Sequence, residues 1–156
     1  MTKSLKVAAI IFLVVSAIGF LDATYLTVEH YRGNIPPCTV AGCEIVLTSG
    51  QSKIAGVPVS LFGSLYYLTL LILAIAYLDR KNNSLIRLAS YGTIIGFIMS
   101  AYFVYLQLFV LNAICQYCMI SAGTSTVLFI TGMFVLSRRQ QEKETGQIDV
   151  DNLSTD

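Results

Sequence analysis

From Leu88 to Ser137 the chain contains no Asp, Glu, Lys or Arg. A helix rises about 1.5 Å per residue, so roughly 20 apolar residues cross a bilayer. This run is about twice the length that one span needs, so it must fold back on itself. The turn is expected at Leu111-Asn112-Ala113, because Asn is a poor helix-interior residue and a good turn former. Two further runs each fit one span. From Val7 to Leu21 there is no charge, Asp22 interrupts, and apolar character resumes through Val28; from Ile54 to Leu78 there is again none. The chain therefore reads as four helices, at about 5–28, 58–79, 85–110 and 113–137.

Composition agrees. Charged residues make up 12% and hydrophobic ones 55%, whereas an ordinary soluble domain carries about 25% charged residues. Too few polar groups remain to cover a water-facing surface, and disorder would need the opposite balance. A net charge of +1 offers no basic face for nucleic acid, so no nucleic-acid partner is expected. Barrel strands would alternate apolar and polar residues, and these runs are apolar all round. The expected class is an all-α integral membrane four-helix bundle in contact with membrane lipid.

The first span follows Lys3 and Lys6 like a signal peptide, but no small-x-small cleavage site follows, so it is expected to be retained. Basic residues set orientation. Lys3, Lys6, Arg80, Lys81, Arg87, Arg138, Arg139 and Lys143 fall on one side of a four-span chain, and only Arg32 and Lys53 on the other. Both termini are thus expected in the cytoplasm, with a long loop at 29–57 and the turn near 111–113 outside the cell (inner) membrane. The polar tail, 138–156, is expected to be cytoplasmic and disordered.

All four cysteines then fall at the outer face. Cys38 and Cys43 lie in the long loop, and Cys115 and Cys118 form CQYC at the start of the fourth helix. The outer compartment is oxidising, so these cysteines are paired, metal-bound or reactive. A CxxC pair at a helix N-terminus has a mechanism: unpaired N–H groups and the helix dipole stabilise a thiolate there. Cys115 would lie nearer the surface and Cys118 nearer the bilayer interior. Two other readings stay open on the residues alone. One is a non-catalytic membrane protein with structural disulfides. The other is a membrane protein that binds metal through its thiolates. Covalent haem is excluded, because Met119 stands where CxxCH needs His.

The sequence resembles the bacterial and archaeal branch of the vitamin K epoxide reductase family over about 8–137. The resemblance is carried by YLTVEH, the loop pair Cys38 and Cys43, EIVLTSGQSKIAGVPVSLFGSLYY, and CQYC. The loop pair precedes the membrane CxxC, the reverse of the order in the unrelated quinone-linked oxidase DsbB. The resemblance implies a four-helix bundle around a quinone, menaquinone or ubiquinone, and a quinone-dependent disulfide-forming activity. It implies that Cys115 and Cys118 are the redox centre, with Cys118 next to the quinone. It implies Cys43 as the shuttle to Cys115, Cys38 as the residue met by the partner, and Ser49 as a further site residue. The partner would be a separate periplasmic DsbA-like thioredoxin-fold protein. Val59 and Ala122 stand where the animal enzymes have Asn and Tyr, which argues against vitamin K epoxide as substrate.

Several residues are weighed on their own chemistry. A quinone needs an apolar pocket with a few polar contacts, and the candidates are Phe62, Tyr66, Phe97, Tyr102 and Tyr105. Gly92, Gly96 and Ser100 form a small-residue stripe suited to close helix packing. Asp22 is an intramembrane acid, either a proton donor or a group reaching interfacial water. His30, the sole histidine, is either an aid to thiolate formation or a solvated surface residue.

Overall fold

The computed structural model describes residues 3–80 and 83–153. Five α-helices form most of it: α1 (Lys3–Arg32), α2 (Cys43–Thr48), α3 (Val59–Arg80), α4 (Asn83–Tyr105) and α5 (Gln116–Leu153). Four are long and apolar enough to cross a membrane, over Lys6–Arg32, Val59–Arg80, Ser84–Val110 and Gln116–Arg138. They pack as a ring in which α1 touches α3 and α5, and α4 touches α3 and α5.

The ring is small-inside and large-outside. Ala8, Ala9, Ala23, Ala74 and Ala89 are buried, together with Ser16, Ser90 and Thr93, while Ile10, Val14, Ile18, Ile95 and Ile98 face outward. Lipid tails are as apolar as Leu, so helices in a membrane associate through close contact of small residues rather than by hiding large ones. In water this exterior would be an apolar patch far beyond what a soluble monomer exposes. Larger groups fill what remains: Phe12, Tyr67, Leu70 and Leu128 form the central cluster with Ala23, Ala74 and Ala89. Gly19 leaves room for the Tyr67 ring, and a Cβ there would overlap it. The Tyr67 hydroxyl donates to the Ser121 carbonyl at 2.9 Å and lies 2.8 Å and 2.9 Å from the hydroxyls of Thr124 and Ser125. Thr24 and Ser64 share a 2.8 Å hydrogen bond between α1 and α3. Within the small-residue stripe, Gly96 accommodates the Tyr66 side chain and Gly92 meets Leu70.

The helix ends follow local rules. α1 runs on through the charged turn Glu29–Arg32, where Arg32 pairs with Glu29 at 3.6 Å. It stops at Gly33, whose φ is +73°. The Gly33 N–H bonds to the His30 carbonyl and the Asn34 N–H to the Glu29 carbonyl, the paired contacts of a Schellman stop. Between α4 and α5 the helix loosens into a π-turn at Leu106–Val110 and breaks over 111–115. Asn112 there takes φ +48°, a left-handed state that Asn tolerates better than most residues.

Two expectations are corrected. The segment between α1 and α3 is not a plain long loop. It holds α2, a 3-10 turn at Gly50–Ser52 and a two-stranded antiparallel hairpin, β1 (Lys53–Ile54) and β2 (Val57–Pro58). Ala55 and Gly56 both have positive φ, as a two-residue hairpin turn of the favoured twist requires. The tail beyond Ser137 is helical as far as Leu153 rather than disordered. RRQQEKE is rich in strong helix formers, and a helix already nucleated by a span extends at little cost.

Candidate functional site

The end of the bundle where α1 and α4 finish and α3 and α5 begin carries all four cysteines. α5 starts at Gln116, so Cys115 occupies its N-cap position. An N-cap side chain accepts the otherwise unpaired N–H groups of the first turn. Here the acceptor is sulfur: Cys115 Sγ takes the backbone N–H groups of Tyr117 and Cys118. The Cys118 thiol adds a side-chain hydrogen bond and is the main reason the Cys115 thiol is lowered to about 7. Burial opposes that shift, as does the charge of Asp22, which places Asp22 within electrostatic reach of Cys115. A thiol of this kind is both a ready nucleophile and a good leaving group near neutral pH.

Cys43 opens α2 and is as deeply buried as Cys115. Its helix is held to the 111–115 turn by a close approach at Gly42, whose φ is +94° and where a Cβ would lie 3.0 Å from the Ala113 Cβ. Val46 and Ala113 complete an apolar cluster around the two sulfurs. Cys38 and Cys43 form a disulfide with Cα atoms 5.9 Å apart, while Cys115 and Cys118 are free thiols. Cys43 Sγ lies 3.4 Å from Cys115 Sγ. The two pairs are thus in direct sulfur–sulfur contact through their inner members. Cys38 and Cys118, both half-buried, pack against the same cluster.

Gln107 holds this geometry. It lies in the π-turn, is 3% exposed, and accepts the Cys115 N–H on Oε1 at 2.9 Å. Its backbone carbonyl accepts the Ala113 N–H at 3.0 Å. π-turns inside helices are frequent at functional sites. The sequence reading missed Gln107, yet a signal existed: it is the sole side-chain amide between Leu88 and Leu111, and such a group inside an apolar helix needs a partner. Gln116 and Tyr117 were also missed as individuals, and both contact the Pro37–Thr39 segment.

The other candidates fall in varied places. Ser49 ends α2, its hydroxyl donating to the Val46 carbonyl at 2.8 Å. Phe62 and Tyr102 face outward, about half exposed, as does Tyr105. Tyr105 stacks on Phe109 and Tyr102 meets Phe103 edge-on. Phe97 stacks on Phe129 with ring centroids 4.6 Å apart. Tyr66 turns inward: its ring meets Tyr67 edge-on, its hydroxyl lies over Gly96, and that buried hydroxyl has no hydrogen-bond partner. Asp22 Oδ2 is buried and likewise unpartnered. His30 packs edge-on against Tyr31 at the α1 exit. A cavity of about 460 Å³ lies between the end of α3 and the start of α4, lined by Ile72, Ile75, Asp79, Arg80 and Leu85. That is the bundle end opposite the cysteines.

Fold and site together define a multi-pass membrane protein with two cysteine pairs meeting at one end of a four-helix ring. The chain belongs to the vitamin K epoxide reductase family, whose sequence model matches residues 10–133. The match runs from the first span into the fourth and includes all four cysteines. The family implies a membrane thiol–disulfide oxidoreductase. No curated protein matches the chain significantly.

Proposed function

We propose that this protein is a quinone-linked thiol–disulfide oxidoreductase that reoxidises a separate DsbA-like thioredoxin-fold protein. The observation that carries the reading is the 3.4 Å contact between Cys43 and Cys115 sulfurs, which joins an outer pair to an inner one.

The relay balances as a series of exchanges. A partner thiolate attacks Cys38 and releases Cys43 as a thiolate. The partner's second thiol then resolves the mixed disulfide, leaving the partner oxidised and Cys38 reduced. Cys43 attacks Cys115 and releases Cys118. Cys38 attacks Cys43 and releases Cys115, whose lowered pKa makes it the better leaving group. The result is a bridged Cys38–Cys43 pair and two free inner thiols, the redox state described above. When bound, a quinone supplies the acceptor for two electrons and two protons as Cys115–Cys118 closes again.

The residues fit such a group. A buried hydroxyl without a partner is costly, and Tyr66 has one, set over Gly96. Tyr66 would donate to a quinone oxygen, with Phe97 supplying apolar wall and Cys118 the reducing sulfur. Asp22, on the neighbouring helix α1 and in the field of Cys115, would hold the proton that the inner thiols release. The charge distribution supports an extracytoplasmic site: eight of ten basic residues belong to the two ends of the chain and to the stretch 80–87.

The test is quinone reduction by the purified protein with a reduced DsbA-like donor. Wild type should turn over and Cys115→Ala should not. Equal rates in the two would sink the proposal.

A further inference from the structure

The two middle residues of Cys115-Gln116-Tyr117-Cys118 reach away from the pair that frames them. Gln116 Oε1 accepts the Thr39 N–H at 3.2 Å and also the Thr39 hydroxyl. Gln116 Nε2 donates to the Pro37 carbonyl at 3.3 Å. The Tyr117 hydroxyl donates to the same carbonyl at 2.9 Å. The Pro37 carbonyl belongs to the peptide group before Cys38, and the Thr39 N–H to the one after it. Both peptide groups flanking Cys38 are therefore held by side chains of the inner motif. Tyr117 is itself braced by Tyr25 of α1, with ring centroids 5.9 Å apart.

Three of these four bonds go to backbone and the fourth to the Thr39 hydroxyl, so none depends on whether the Cys38 sulfur is free or bonded. That matters at one moment in the cycle. When the Cys38–Cys43 bridge opens, the loop loses its covalent staple. α2 has only six residues, too few to hold itself as a helix. An untethered loop would let Cys43 drift from Cys115, and exchange rates follow access.

We propose that Gln116 and Tyr117 are positioning residues, clamping the peptide groups around Cys38 so that Cys43 stays against Cys115 when the outer pair is reduced. This rests on the relay described above. The motif's middle residues thus set the register between the two pairs.

The test uses the full chain in lipid or detergent. In a Cys38→Ser/Cys118→Ser background only Cys43 and Cys115 remain, and their disulfide is titrated against glutathione to give an effective concentration. Adding Gln116→Leu and Tyr117→Phe should lower that value about tenfold, the scale for losing a few hydrogen bonds of modest net strength. In a Cys38→Ser/Cys43→Ser background the same two changes should leave the Cys115–Cys118 equilibrium within about twofold, because a motif loop this short holds its own sulfurs together. Gln116→Glu keeps an oxygen for Thr39 and should fall between the extremes. Tyr117→Phe alone gives a smaller loss in the same direction and serves if the double variant does not fold. Equal effective concentrations with and without the clamp would overturn the proposal. So would parallel losses in both backgrounds, which would mean a collapsed start of α5. Failure of Cys43 and Cys115 to bond even with the clamp intact would instead overturn the relay itself.

Discussion

The Cys115 thiol offers a quantitative test, because its reactivity is assigned to one neighbour. Its pKa is lowered to about 7, chiefly by the Cys118 thiol hydrogen bond and then by the N–H groups of Cys118 and Tyr117, against the opposing effect of burial. At pH 7 about half of such a thiol is ionised, against roughly 1% for one titrating at 9.0, the ordinary value for comparison. That is about a 50-fold gain in thiolate. A thiolate loses intrinsic nucleophilicity as its pKa falls, by about half a log unit per unit of pKa, so the net gain is about fivefold. The perturbation is Cys118→Ala in a Cys38→Ser/Cys43→Ser background, which removes the leading cause and leaves the backbone donors. The assay is alkylation of Cys115 by a small reagent across pH 5.5 to 9.5, followed by mass spectrometry of the Cys115 peptide. With Cys118 present, the rate should rise with a midpoint near 7. In Cys118→Ala the midpoint should move up toward the ordinary thiol range. An unchanged midpoint would refute the assignment to Cys118, and a midpoint near 9 with Cys118 present would refute the lowered pKa itself.

Other consequences follow from the same contacts. The reduction potential of the Cys115–Cys118 pair should fall by about 59 mV per pH unit below pH 7 and by about 30 mV above it, since one fewer proton is then taken up; a straight line through that region would contradict an inner thiol titrating near 7. The sign for stability is also fixed: a thiol whose pKa is depressed on folding stabilises the reduced fold as pH rises from about 7 toward 9, and that contribution is lost as pH falls through 7, which reduced-state melting curves would show. Gln107→Leu should strand the Cys115 N–H and cost about 1–3 kcal/mol, read as lowered thermal stability, whereas an unchanged melting temperature would remove Gln107 as the anchor of the turn. Gly19→Ala should cost about 1–3 kcal/mol by forcing the Tyr67 ring from its place, and a neutral effect would mean the α1–α3 contact is looser than described.

The architecture was legible because a bilayer imposes a simple rule on charge. Gaps between charged residues marked the spans, and Asn112, a turn former that helix interiors disfavour, marked the reversal, where it takes φ +48°. The CxxC spacing pointed to redox chemistry because only a helix start gives sulfur those free N–H groups. The interior of the segment between α1 and α3 was not legible. α2 and the hairpin are too short to show a period, and they are held by tertiary contacts such as Gly42 on Ala113. Helix ends were misjudged where charge was read as a boundary: α1 continues through Glu29–Arg32 because polar residues end a span without ending a helix. Among the site residues, Gln107, Gln116 and Tyr117 act through partners distant in sequence, at Cys115, Thr39 and Pro37, so no local pattern announces them. Tyr66 and Phe62 looked alike in sequence, one helical turn apart, yet one turns into the ring and the other out toward lipid.

The most direct measurement is the disulfide map of a Cys38→Ala/Cys118→Ala variant, purified under oxidising conditions and digested with free thiols blocked. A peptide pair joined through Cys43 and Cys115 is the predicted product. Recovery of both cysteines as blocked thiols would contradict the account, because sulfurs 3.4 Å apart that do not bond carry no relay.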